Sequence, residues 1–409
     1  MIYSYTRIAS LVLAFGFFFG CSILQNSSDP SSEPISDNLT EAQLEKQLIA
    51  VRNQIDENPN NPELYYRKGV LLTQWAPDKA PSERTAYYTE AREALHTADS
   101  LYKRNPSDET GPPRTTDQLR SVAWSNEHNQ GIAKLQNAGS RSDYLQSATH
   151  FRNASIIMPD SVIAYQMASE AFYRGEQPQE ALQILKKGLQ NIGTPSVKLL
   201  ESLAYLYLET NQPERSVKLF EQARSLNQRN FNIMHGLSNA YIQAGDHQKA
   251  IALLRQLSDR QPGNTTYQRT LASQLYEAGS AKLTDLLTQL KERDRFSKEL
   301  FTAGNSLLKQ AEEQYTSILE EGGSHKEMTK VAAQFYYNRA ALYQKLLPYL
   351  PDAQNKELEP IIKRSLSASI PLLQKLTASA PSKQLWQNLY QAYTYLGMQE
   401  EAKKAKTNI

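Results

Sequence analysis

The sequence predicts an all-α chain of repeated helix pairs, and three observations carry the prediction. The 409 residues hold only 17 glycines and 19 prolines, about 9% together against the ~12% of average proteins, so breaks are sparse and long helices are favoured. No run of period-two alternation marks a half-buried strand, whereas apolar residues recur at spacings of three and four. The centre of the chain repeats itself at an offset of 34: Ser216, Phe220 and Ala223 align with Ala250, Leu254 and Leu257, and Leu203, Ala204 and Tyr207 with Leu237, Ser238 and Tyr241. Composition adds exclusions. At 40% hydrophobic the chain can bury a core. A balance of 45 basic to 43 acidic side chains, formal charge +2, gives no field for holding nucleic acid. The single cysteine excludes an internal disulfide framework or a cysteine zinc cluster.

The elements follow in chain order. Arg7, the apolar stretch Ile8 to Phe19 and then Gly20 read as a secretory signal, short for a membrane span. Cys21 follows that small residue directly, and the arrangement resembles the lipobox of bacterial lipoproteins, in which the cysteine is lipidated and becomes the new N-terminus. Phe18 and Phe19 depart from that pattern, which usually has leucine followed by a small residue. The alternative is an ordinary signal peptide, or an uncleaved anchor running to Leu24, with Cys21 incidental. The resemblance implies residues 1–20 as signal peptide and 21–38 as a tether from lipidated Cys21. That tether is rich in Ser, Pro, Asn and Asp, and as a coil of about 16 residues it reaches about 20–25 Å.

Order is expected from Leu39. Thr40 with Gln43 reads as a capping box and Leu39 as a staple onto Leu44, ahead of the helical face Leu44, Leu48, Val51 and Ile55. Residues 39–158 form divergent helix pairs around Tyr65, Gly69, Leu72, Ala91 and Ala98, then Gly131, Ser147, Phe151 and Ala154. They carry an insertion from Trp75 to Pro81 and an exposed loop over Lys103 to Arg120. Residues 159–283 hold the regular units, the first with Ala168, Phe172 and Ala181 and the last with Leu271, Ala272, Leu275 and Gly279. Residues 284–409 read as further pairs: out-of-phase helices over Thr284 to Ser324, an insertion over Pro348 to Pro360, a helix Ile361 to Lys375 containing Pro371, and a last pair with Trp386, Tyr393, Gly397 and Ala402.

A 34-residue period with small residues at fixed points, an aromatic in the first helix, and Pro159 or Pro262 closing the second resembles the tetratricopeptide repeat. The resemblance covers most of Leu39 to Ile409 and implies a right-handed α-solenoid of helix-turn-helix repeats after the N-terminal signal and flexible tether. It also implies that first helices line a groove for a peptide or a partner helix. Carried over position by position, the groove residues are Gln166, Glu170, Tyr173 and Arg174; then Glu201, Tyr205 and Glu209; then His235, Asn239, Ile242 and Gln243; then Arg269, Ser273 and Tyr276. Tyrosines there are rigid amphipathic anchors, or else they fill the groove by packing on one another. The carboxylate clamp of chaperone-binding stacks is not expected, because His235, Gly236 and Glu201 interrupt its basic and amide set.

Catalytic constellations are missing: no phosphate loop, HExxH pair, calcium loop or nucleophile elbow occurs. Ser306 and Lys309 match an acylase tetrad without its companion motifs, and the six histidines lack metal-ligand spacing and read as solvated or capping. Glu312 and Glu313 read as an ordinary solvated helix face. No cofactor and no metal are expected. The leading expectation is a non-enzymatic adaptor anchored by lipid in a bacterial envelope, at the outer membrane facing the periplasm, that binds envelope proteins or peptides and no nucleic acid. The rival is a nutrient-binding lipoprotein resembling the SusD class, kept open by the many tyrosines and by Trp75, Trp124 and Trp386, on which sugars could stack. A solenoid enzyme or an enzyme's regulatory subunit is third.

Overall fold

The computed structural model describes residues 39–104, 115–293, 295–320 and 326–409. The signal, Cys21 and the tether lie outside them. The described residues form an all-α solenoid without a strand. The helices are α1 Glu41–Glu57, α2 Pro62–Trp75, α3 Pro81–Arg104, α4 Thr116–Gln136, α5 Arg141–Ile157, α6 Val162–Arg174, α7 Pro178–Asn191, α8 Val197–Glu209, α9 Pro213–Leu226, α10 Phe231–Gln243, α11 His247–Arg260, α12 Thr265–Arg293, α13 Lys298–Glu320, α14 Lys326–Leu346, α15 Asp352–Ser379, α16 Lys383–Tyr395 and α17 Gln399–Lys406. From α2 onward they pack as successive pairs. The first helices also meet one another (α2 with α4, α6 with α8, α8 with α10, α12 with α14), and α3 meets α5 in the other layer. Each pair is too thin to enclose a core alone, so the core runs between pairs, and one apolar cluster extends from Leu200 on α8 to Ala392 on α16.

The pair turns show why the sequence repeats. Phe172, Tyr207, Tyr241 and Tyr393 are buried between helices. The main-chain carbonyl of each accepts from the N–H five residues on, at Gln177, Gln212, Asp246 and Met398, over 2.8–2.9 Å. That closure needs a left-handed residue in between. It is supplied by Glu176, Asn211, Gly245 and Gly397, at φ of 57°, 56°, 75° and 77°. Pro178 and Pro213 then open α7 and α9, where a missing N–H costs nothing.

Gly279 stands 34 residues after Gly245, and the turn expected there does not form. Helix α12 runs unbroken through it for 29 residues, so the boundary at 283/284 falls inside a helix. Two local differences account for this. Asp246 caps α11 by accepting from Lys249 N–H at 3.1 Å, whereas its counterpart Ser280 has a buried hydroxyl with no partner. Gly279 serves a close approach instead: a Cβ there would stand 3.0 Å from the Gly304 carbonyl oxygen of α13 and 3.0 Å from the Leu308 side chain. The second helix of this unit is therefore α13.

Other expectations are corrected. Residues 103–104 end α3 and 116–120 begin α4, so the loop over Lys103 to Arg120 shrinks to a stretch whose residues 105–114 lie outside those described. The insertion over Pro348 to Pro360 is mostly helix: α15 starts at Asp352 and contains both Pro360 and Pro371, and it buries Leu358, Ile362, Leu366 and Leu373 on one face. The Thr40–Gln43 box forms, with Gln43 Oε1 accepting from Thr40 N–H at 2.8 Å.

Two ionic networks with buried members tie neighbouring helix pairs together. Glu127 on α4, fully inaccessible, accepts at one oxygen from Arg84 Nη1 and Tyr88 O–H, both at 2.9 Å. Its other oxygen lies 2.8 Å from His150 Nδ1 and 3.4 Å from Asn153 Nδ2. Arg84 donates onward to the carbonyls of Lys79 and Pro77 at 2.8 and 2.7 Å, which ties the Trp75–Pro81 turn to α4 and α5. His150 is thus not a solvated histidine. In the C-terminal half Arg339, 1% exposed, grips Glu312 through two bonds of 2.8 Å and donates to Ser365 Oγ at 3.0 Å. It joins α13, α14 and α15 and removes Glu312 from the solvated face expected for it.

Candidate functional site

Helices α6, α8, α10 and α12 present the expected groove residues on neighbouring first helices, and the structure links many of them across the helix boundaries. Gln166 Nε2 donates to Ser202 Oγ at 2.7 Å. Tyr173 O–H donates to a Glu209 carboxylate oxygen at 3.2 Å. Tyr205 O–H donates to the Asn232 carbonyl at 3.2 Å, and its ring meets Phe220 edge-on at 5.0 Å. His235 lies 3.2 Å from both Tyr267 O–H and Asn239 Nδ2, so one ring nitrogen is engaged by α12 and the other by its own helix. Ser273 Oγ pairs with Tyr315 O–H at 3.3 Å, and Tyr276 stands edge-on to Phe335 at 5.7 Å. Spacing of i and i+4 sets the local pairs, as for Glu170 with Arg174 at 3.6 Å.

The tyrosines therefore divide. Tyr205 and Tyr276 are half-buried and committed to packing, while Tyr173 keeps 38% of its surface exposed. Ile242 packs partly against the core and Gln243 is exposed. Glu201 and Arg269 are half-buried without an ion pair among the described residues. Burial pushes the Glu201 carboxyl above the ordinary carboxylate range. It also raises the Tyr205 hydroxyl, with the Glu201 charge and Tyr267 adding to the effect. Burial lowers His235, which keeps its ring neutral near pH 7. The middle of the groove is thus aromatic, amide-rich and neutral apart from one carboxylate.

Two parts of this surface lie outside the carried-over positions. Tyr267, buried at the start of α12, is the partner of His235 and meets Phe231 edge-on at 5.8 Å; its place 32 residues after His235 was the signal. The second part is a hollow of about 240 Å³ between α14 and α16, lined by Tyr337, Gln344, Tyr390, Gln391, Thr394 and Tyr395 among others. It continues the first-helix face, and carrying the outward positions into the last two pairs would have found it. Two of the tryptophans that kept a sugar ligand open are drawn into packing: Trp75 is 7% exposed and edge-on to Tyr87, and Trp124 stacks on His128 and donates to Ser161 Oγ at 3.1 Å. Trp386 is half-buried and lines an open hollow of about 520 Å³ with Tyr393, Glu401 and Lys404. Among the described residues no three His, Cys, Asp or Glu side chains come together as a metal site. No described helix is long and apolar enough to cross a membrane.

Residues 207–275 match the family model of the tetratricopeptide repeat. That stretch runs from the end of α8 through α9, α10 and α11 into the first part of α12. No curated protein matches the chain in sequence. Among solved structures, a pilF protein of Pseudomonas aeruginosa shares 15% identity over 66% of this chain and 96% of its own, at a TM-score of 0.39. A tetratricopeptide repeat protein from Parabacteroides merdae shares 10% over 75% of this chain and 98% of its own, at 0.36. A MamA protein shares 16% over 48% of this chain and 94% of its own, at 0.35. At such scores these likenesses carry nothing about what the groove binds.

Proposed function

We propose that this chain is a tetratricopeptide-repeat adaptor, non-enzymatic and held at a bacterial envelope membrane by lipid on Cys21, that binds segments of other envelope proteins along the face of α6, α8, α10 and α12. The observation that carries the reading is the continuity of that face. Four first helices lie side by side and are bonded to one another through Gln166, Tyr173, Tyr205 and His235, which fixes a rigid surface in advance. Preordered contact surface lowers the ordering cost of binding. Stacked repeats supply extended area of this kind without the enclosed, convergent polar pocket that catalysis needs.

The anchor rests on residues 7–21. Two or more acyl chains on one cysteine give stable attachment where one chain is marginal, and the tether lifts the solenoid off the headgroups. The reading is tested by crosslinking capture from native membranes with the wild type and with a Tyr173→Ala, Tyr205→Ala, Tyr276→Ala variant that retains its helical circular dichroism. Specific envelope proteins are expected with the wild type and not with the variant. Identical capture by both proteins would remove the groove from the account.

A further inference from the structure

Glu201 is out of place for a carboxylate that does nothing. It sits on α8 in the middle of the groove, half-buried, with no hydrogen bond or ion pair to any described residue. The other two groove carboxylates are engaged: Glu170 lies 3.6 Å from Arg174, and Glu209 accepts from Tyr173. Of the groove cations, Arg174 is on Glu170, Lys198 is exposed one turn earlier on α8, and Arg269 is on α12; none comes within 4 Å of Glu201. Four residues on, Tyr205 shares its face of the helix. The Tyr205 ring is fixed at both ends, by its hydroxyl on the Asn232 carbonyl and by its contact with Phe220. A half-desolvated anion thus stands beside an immobilised aromatic ring, with neutral His235, Asn239 and Tyr267 beyond.

We propose that the middle of the groove receives a lysine or arginine side chain from an extended segment of the partner protein, its cation paired with Glu201 and its stem laid along Tyr205. Charge complementarity selects this occupant. A cation supplies the counter-charge that the fold withholds, and an aromatic face suits both an aliphatic stem and a guanidinium plane. An acidic or purely apolar side chain at this point would leave the carboxylate buried and unpaired. Left unpaired, Glu201 opposes folding above its pKa, because burial disfavours its charged form. A residue that costs stability and gains a partner only on binding is what a recognition contact looks like in the free protein.

The proposal rests on the groove being the binding surface and sharpens it. The test uses the full chain in detergent and two blocked alanine pentapeptides, one with a central arginine and one with norleucine, titrated by NMR against the wild type, Glu201→Gln and a control, Glu214→Gln, on α9. The arginine peptide is expected to bind about tenfold more weakly to Glu201→Gln, as for loss of one partner of a close charge pair. The control should match the wild type, and the norleucine peptide should not distinguish the three proteins. Glu201→Gln should also melt no lower than the wild type at pH 7. Equal arginine-peptide binding by wild type and Glu201→Gln would overturn the proposal, as would a lower melting temperature, which would make Glu201 structural. If Glu201→Gln still captures the wild-type partners while the triple tyrosine variant does not, the groove stands and the cation contact alone fails.

Discussion

Replacing Glu127 by glutamine should loosen the N-terminal pairs selectively, and the size of the effect follows from what the carboxylate holds. Its two oxygens meet four polar groups of Arg84, Tyr88, His150 and Asn153, at 2.8–3.4 Å in a fully buried site. Glutamine keeps one acceptor oxygen and turns the other position into a donor, so either Arg84 or Asn153 faces a donor. It also removes the charge opposite a guanidinium that is 8% exposed. Breaking one side of a buried ion pair costs about 3–5 kcal/mol. Arg84 retains its bonds to Lys79, Pro77 and Gln130, so a value near the lower end, about 3 kcal/mol, is expected. Solenoid cooperativity is local, and the loss should appear as faster amide exchange in α2 to α5, with α10 to α16 unchanged.

The pH dependence fixes the sign. Burial pushes the Glu127 carboxyl up, but the bonds from His150, Arg84 and Tyr88 outweigh it and hold the group below its ordinary value. A carboxylate lowered on folding contributes stability that is present above its unfolded pKa and is lost as pH falls through its folded one. The gap between wild type and Glu127→Gln should therefore be full at pH 7 and close below about pH 4. Urea melts at both pH values, with exchange read by mass spectrometry, measure this. A difference under about 0.5 kcal/mol at pH 7, the size of an ordinary surface change, would refute the reasoning.

Three further outcomes are expected. Gly245→Ala, at φ 75°, should lower stability by about 1 kcal/mol in urea melts, because a Cβ is strained in the left-handed region. Gly279→Ala should cost about 1–3 kcal/mol despite the better helix propensity of alanine, since its methyl meets the Gly304 carbonyl across α12 and α13; a stabilised variant would contradict that packing. Cys21→Ser should move the protein from the detergent phase to the aqueous phase in cloud-point partitioning, and no shift would contradict lipid anchoring.

The legible parts of the fold were those set by local chemistry. A large aromatic recurs beside the same turn at Phe172, Tyr207, Tyr241 and Tyr393, and all four are buried. Gly279 carried the same glycine signal and misled, since a glycine that permits a turn equally permits a close helix crossing, and here Ser280 in place of a capping Asp and the approach of Gly304, 25 residues later, decide for the crossing. The networks of Glu127 and Glu312 were hidden for a related reason. A carboxylate on a helix reads as solvated until Arg84 or Arg339, on other helices, is brought against it. In the groove, the resemblance assigned the candidate positions to the first helices. It did not reveal that Tyr205 and His235 would be held by Asn232 and Tyr267 of the neighbouring helices, because those bonds depend on the rotation between pairs.

Site-specific photocrosslinking of the membrane-bound protein in cells tests the central claim most directly, with the photoreactive residue placed at exposed Gln243 on the groove face or at exposed Lys218 in the second-helix layer. The account predicts discrete protein adducts from position 243, diminished by the triple tyrosine substitution, and none of the same adducts from position 218. The same adducts from both positions, or from 218 alone, would contradict binding through the first-helix groove.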